Sequence, residues 1–173
     1  MAEKKSFSIL LLYGGIAALV MILFTLGTYW AGPEPFVGRV AYLKFVLIIA
    51  LAIVAGIAAK KQAGFLGFKP ALRVCFGTIV IGMAVQTLFA WVLLNFIDTH
   101  FKSQTMPFVI AQAERTYRNF NFSEEDIARM VADVKAGDPF SFGSMLAGLA
   151  RIYIVLFLVS LLLAAAVGQK KRV

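Results

Sequence analysis

The chain of 173 residues is poor in charge, in histidine and above all in cysteine. A single cysteine, Cys75, excludes an internal disulfide and any site built from several thiolates. A single histidine, His100, cannot hold a metal without carboxylates arranged around it, so it reads as a solvated or interfacial side chain. Charged residues are 15% of the chain, where an average soluble domain has about 25%. That is too little polar surface for a water-soluble fold of this length. Also missing are a Gly-rich phosphate loop ending in Lys-Ser/Thr, a His-Glu-x-x-His pair and a nucleophile elbow. No catalytic residue, cofactor site or metal site is assigned, and the chain is not expected to be an enzyme.

What is present is apolar. Hydrophobic residues make up 61% of the chain and gather in four runs, 7–30, 40–59, 74–97 and 139–168. About 20 apolar residues in a helix match the roughly 30 Å hydrocarbon core of a bilayer. The first and third runs carry no charge, the second only Lys44 and the fourth only Arg151. The expected fold is all-α: a four-helix transmembrane bundle. Lys4 and Lys5 ahead of the first run resemble a secretory leader. The run exceeds the roughly 7–15 apolar residues of such a leader, so it is read as a retained span.

The net charge of +8 is topological and does not imply nucleic acid, because the bases flank the spans. Residues 1–6, the amphipathic loop 60–73 and the tail 169–173 hold Lys4, Lys5, Lys60, Lys61, Lys69, Arg73, Lys170, Lys171 and Arg172, against one acid, Glu3. Basic short segments stay in the cytoplasm, so both termini are expected inside and the segments 31–39 and 98–138 outside. Trp30, Tyr42, Trp91 and Phe96 mark the outer boundary, where amphipathic rings settle among headgroups.

The outer segments differ in kind. The connection 31–39, with Gly32-Pro33 and Pro35, is a tight turn; inside, Phe65, Leu66 and Phe68 between lysines suit an anionic headgroup layer. The segment 98–138 reads as a helical hairpin. Met106, Ile110, Ala113, Tyr117 and Phe120 form one apolar stripe, and Ile127, Met130, Val131 and Val134 a second. Ser123 caps the second helix, Glu124, Glu125 and Asp126 favour its positive end, and Phe122 staples onto Ile127. Gly137 is a C′ residue, Asp138-Pro139 opens the fourth span, and Pro107 kinks or ends an outward extension of the third. Asn121-Phe122-Ser123 matches a glycosylation pattern that matters only in a eukaryotic secretory pathway.

Polar groups at membrane depth are the candidate sites, because they are costly there. Gln86, Thr87 and Thr78 share the third span, and their plain role is hydrogen bonding between helices. Lys44 and Arg151 lie at similar depth just inside the outer boundary, with Asp98 and Glu34 as nearby acids. The four are expected to form a polar cluster that fixes packing or binds an anion or a lipid headgroup. Small residues at four-residue spacing (Ala52 and Gly56, Ala55 and Ala59) and the run Gly14-Gly15 with Ala17 and Ala18 invite close helix contact, within one chain or between copies.

The loop Gly64-Phe65-x-x-Phe68 leading to Ala71-Leu72, the helix start Phe122-Ser123-Glu124-Glu125 and Asp138-Pro139 before the last span carry a resemblance over nearly the whole chain. The chain resembles a family of small bacterial membrane proteins described as a domain of unknown function, family 4199. The resemblance implies the inner membrane of a Gram-negative bacterium and a periplasmic hairpin, and supplies no binding or catalytic residue. The expected function is that of a non-enzymatic interaction or accessory subunit. Its partners are the lipid bilayer, another membrane or periplasmic protein, or a second copy in a homo-oligomer. The alternative is a small transporter or channel component with a polar path near Gln86, Thr87 and Lys44.

Overall fold

The computed structural model describes the backbone of residues 2–168 and the side chains of residues 7–168. The flanking lysines and arginine of the orientation argument (Lys4, Lys5, Lys170, Lys171, Arg172) lie outside the described side chains. Among the described residues seven α-helices run in order: α1 Ala2–Ala31, α2 Pro33–Val37, α3 Leu43–Ala63, α4 Phe68–Val92, α5 Thr99–Asn119, α6 Glu124–Ala136 and α7 Phe142–Val167. No strand occurs among the described residues. Four segments are long and apolar enough to cross a membrane: Phe7–Ala31, Pro33–Ala63, Phe68–Ile97 and Phe142–Val167.

The helix α4 lies at the centre and touches α1, α3 and α7. Its glycines let the neighbours come close. A Cβ on Gly77 would stand 2.5 Å from Leu10, and one on Gly82 would meet Ile48 at 2.7 Å and Ala17 at 3.1 Å. Ala17, Met21, Ile48, Ala52, Ile79 and Met83 form the mid-bundle core. Ala55, Ala59, Leu66, Ala71, Ala164 and Val167 close the bundle at the other side of that layer. The small residues at four-residue spacing in α3 are therefore used within the chain, with Gly56 against Cys75 and Val167. Gly15, by contrast, faces open space.

Several boundaries differ from the sequence reading. The inner loop 60–73 shrinks to Gly64–Gly67, with Lys60 and Lys61 in the last turn of α3 and Lys69 and Arg73 inside α4. Gly64 stops α3 with φ +68, and Pro70 sits in the first turn of α4, where a proline's missing N–H costs nothing. Leu66 is 3% exposed and plugs the closed end of the bundle; Phe65 and Phe68 stay exposed. The connection 31–39 is largely helical, with α2 and a 3₁₀ turn Arg39–Tyr42, because Pro33 is a favourable opening residue.

The hairpin end of α4 departs most. It ends in a π turn, Leu93–Ile97, closed by the Asp98 N–H on the Leu93 carbonyl at 2.8 Å. Pro107, expected to break the helix, lies inside α5. The break comes earlier because Asp98 caps a new helix, accepting from the Phe101 N–H at 2.7 Å. Likewise α7 begins at Phe142 behind a Ser141 cap, not at Asp138-Pro139. Asp138 is occupied instead by the Phe140 N–H and by Lys102.

The hairpin forms, with Ser123 accepting from the Asp126 N–H at 3.2 Å. Asn121 turns the chain at φ 57, while Gly137 is extended at φ −83 and so is no left-handed C′ residue. Ile127 is buried in the hairpin seam, but Phe120 is 72% exposed and drops out of the expected stripe. The Phe122 ring packs edge-on against Tyr117, 6.0 Å between centroids. The base of the hairpin is fixed by Leu94, Phe101 and Phe140 with Tyr29 and Phe36 around them.

Gly82→Val must push Ala17 and Ile48 aside, and such overpacking costs about 1–3 kcal/mol. Thermal unfolding in detergent is expected to drop for Gly82→Val. Gly15→Val, with nothing within 4 Å, should melt like the parent.

Candidate functional site

Two polar features lie at the hairpin end of the bundle, one inside it and one at its rim. The inner one starts from threonines of α1. The Thr25 hydroxyl donates to the Met21 carbonyl at 2.9 Å and the Thr28 hydroxyl to the Thr25 carbonyl at 3.0 Å. Both bonds stay within the helix, as threonines in an apolar helix commonly arrange. Gln86 of α4 then donates its Nε2 to Thr25 Oγ1 at 3.2 Å. This is the interhelical bond expected of a buried amide. Among the described residues the Gln86 Oε1 and the Thr87 hydroxyl have no partner.

A cavity of about 290 Å³ lies over this pair, lined by Thr25, Thr28, Gln86 and Lys44 with Phe45 and Met145. A second hollow of about 300 Å³ shares Lys44, Gln86 and Met145 and adds Thr87, Leu149 and Ile152. Lys44 is half-buried, its Nζ 5.3 Å from the Phe45 ring centroid, and has no anionic partner among the described residues. Thr78 is fully buried away from these hollows, its hydroxyl without a hydrogen bond. Of the intramembrane polar residues read from the sequence, Gln86 and Thr87 line one hollow with Lys44, and Thr78 lies apart from it.

The rim feature is a capped junction. The Tyr29 hydroxyl donates to Asp98 Oδ2 at 2.7 Å while Oδ1 takes the Phe101 N–H. Lys102 donates to Asn95 Oδ1 at 2.8 Å and to Asp138 Oδ2 at 2.5 Å. Asn95 in turn donates to the Trp91 and Phe140 carbonyls, at 3.0 and 2.9 Å. The π turn, α5 and the entry to α7 are thereby tied together. The Phe101 N–H foremost, then the Tyr29 hydroxyl and the neighbouring His100, hold the Asp98 carboxyl below its ordinary range.

The expected cluster of Lys44, Arg151, Asp98 and Glu34 is not joined by ion pairs among the described residues. Asp98 is committed to Tyr29 and the α5 cap. Glu34 lines a separate groove with Arg39 and Arg115. Arg151 is exposed on α7, about one turn farther along than Gly148, which is level with Lys44. Thr25, Thr28, Asn95 and Lys102 were not singled out beforehand. A doubled threonine three apart in an apolar span was the available signal for the first two.

The family described as Protein of unknown function (DUF4199) matches residues 12–168, and the chain belongs to it. No curated protein and no solved structure matches the chain.

A carboxylate whose folded pKa lies below its unfolded value of about 3.9 stabilises fully above that value, and the contribution fades as pH falls through the folded pKa. Asp98→Asn should therefore melt lower than the parent at pH 7. The gap between the two should close as the pH is taken below about 3.9. An equal gap at pH 7 and at pH 3 would contradict the role given to Asp98.

Proposed function

We propose that this multi-pass membrane protein is a non-enzymatic interaction or accessory subunit of the inner membrane, working through the face that its hairpin presents outside. The observation that carries the reading is a groove of about 600 Å³ between the 31–42 connection and α5. Glu34, Arg39, Pro107, Phe108, Gln112 and Arg115 line it. It is open, mixed in polarity and richer in cations than in acids, which suits an apolar segment of a partner carrying an acidic residue. Phe108, Phe120 and Phe122 stay exposed nearby along the hairpin. Exposed aromatics of this kind are typical anchors of protein interfaces.

Orientation is argued from charge. Lys60, Lys61, Lys69 and Arg73 gather where α3 turns into α4, the end opposite the acidic hairpin, and basic short turns remain cytoplasmic. The hairpin is then periplasmic and the termini cytoplasmic. The rival role, a transporter or channel path near Gln86, Thr87 and Lys44, draws on the hollows described above. Against it stands the layer of Met21, Ile48, Ile79 and Met83, each 3% exposed or less, between those hollows and the basic end. A path would have to open through that packing.

A photocrosslinking residue in place of Phe108, in native membranes, is expected to capture one defined protein, while the same residue at lipid-facing Leu162 captures none. Flux of ions or small solutes through liposomes holding the pure protein, with no adduct at position 108, would favour the rival. Sidedness has its own check. An impermeant maleimide added outside intact cells should label Ser123→Cys and leave the buried Cys75 unmodified; labelling of position 123 only after lysis would invert the orientation.

A further inference from the structure

We propose that the two hollows around Lys44 hold an anionic phospholipid from the surrounding bilayer. Its phosphate would sit on Lys44, and an acyl chain would lie in the cleft between α3 and α7. This site lies inside the bundle, away from the groove at the hairpin, and does not depend on the partner-binding reading.

Charge comes first. A half-buried ammonium at membrane depth is costly unless it is paired. Neither hollow has an aspartate or glutamate among its lining residues, and among the described residues Lys44 meets the Phe45 ring and no anion. The site is thus complementary to an anion that the chain does not supply.

Hydrogen bonding agrees with that sign. Gln86 uses Nε2 once, toward Thr25, which leaves its second amide hydrogen for another acceptor. The Thr87 hydroxyl lines the same hollow and has no partner among the described residues. Two neutral donors beside one cation suit a phosphodiester, whose oxygens only accept.

Shape selects a lipid over a free anion. The second hollow continues from Lys44 over an apolar floor and wall of Met83, Leu149 and Ile152. Gly148 borders it, and a Cβ there would meet nothing within 4 Å. At the far end α3 and α7 lie close, and a Cβ on Gly56 would stand 3.4 Å from Val167. Toward the hairpin the second hollow lies between them as a cleft, with Lys44 and Phe45 on one side, Met145 and Leu149 on the other, and Met83 and Gln86 of α4 as its floor. Such a cleft is open to lipid at its side, and the packed layer below leaves no exit through the bundle. A soluble phosphate would find the cation but leave this apolar wall uncovered.

The test is native mass spectrometry of the intact protein released from nanodiscs containing equal phosphatidylglycerol and phosphatidylcholine. The parent is expected to retain phosphatidylglycerol in preference, by about tenfold, the size of effect one charge-assisted contact gives. Lys44→Gln should abolish the preference while melting no lower than the parent, since no ion pair is lost. Gly148→Leu, which fills the cleft from open space, should lower retention of both lipids. Equal retention of the two lipids by the parent, or an unchanged preference in Lys44→Gln, would overturn the proposal. So would displacement of the bound lipid by millimolar inorganic phosphate, which would make the site one for a free anion.

Discussion

Lipid tails are as apolar as leucine, so these helices gain little by hiding side chains from their solvent and must be held by close contact. Everything in the bundle follows from how nearly α4 can be approached. Gly77 takes Leu10 of α1 into the space where a side chain would be, and Gly82 takes Ala17 of α1 and Ile48 of α3. With α1 that close, Thr25 and Gln86 reach hydrogen-bond distance; a helix separation larger by one methyl would part them. The interhelical bond is worth only about 0.6 kcal/mol on average, so it reports the approach more than it causes it.

The same constraint explains where the fold loosens. Small residues line α3 at Ala52, Ala55, Gly56 and Ala59, and there α7 can come in. Above Ala52 the residues turn large, with Phe45 and Lys44 at the entry of α3, and a hollow separates them from Met145 of α7. The bundle thus closes at its basic end and opens at its hairpin end. Polar groups take over the work of fastening at that open end. Asp98 joins Tyr29 to the start of α5, and Lys102 joins Asn95 to Asp138 across the π turn and the entry of α7. By contrast the hairpin's surface ion pairs, Arg118 with Glu114 and Glu124, and Arg129 with Glu125, are exposed and contribute little.

Sequence length and composition were enough for the four spans and the helical hairpin, because a bilayer's thickness and the helical period are written locally. Ser123 as a cap was equally legible, being three residues from the N–H it accepts. Gln86, Thr87 and Lys44 stood out by cost alone. Their company did not, since Thr25 lies 61 residues from Gln86 and Tyr29 lies 69 from Asp98. No period in the chain encodes such pairings. The π turn was illegible for another reason: Leu93-Leu94-Asn95-Phe96-Ile97 holds no breaker, and what ends α4 is the better cap waiting at Asp98. Pro107 misled in the opposite sense, as a residue that usually stops a helix yet is carried inside α5.

A hollow at the hairpin end of the bundle, closed below by Met21, Ile48, Ile79 and Met83, is the centre of this account. The most direct measurement is a cysteine scan along α4 in a Cys75→Ala background, using a small hydrophilic thiol reagent applied from each side of sealed vesicles. Cysteines at 86 and 87 should react from the hairpin side alone, and those at 78 and 79, which line neither hollow, from neither side. Reaction running on from 86 down to 78, or arriving from the basic side, would show a continuous path and contradict the closed bundle.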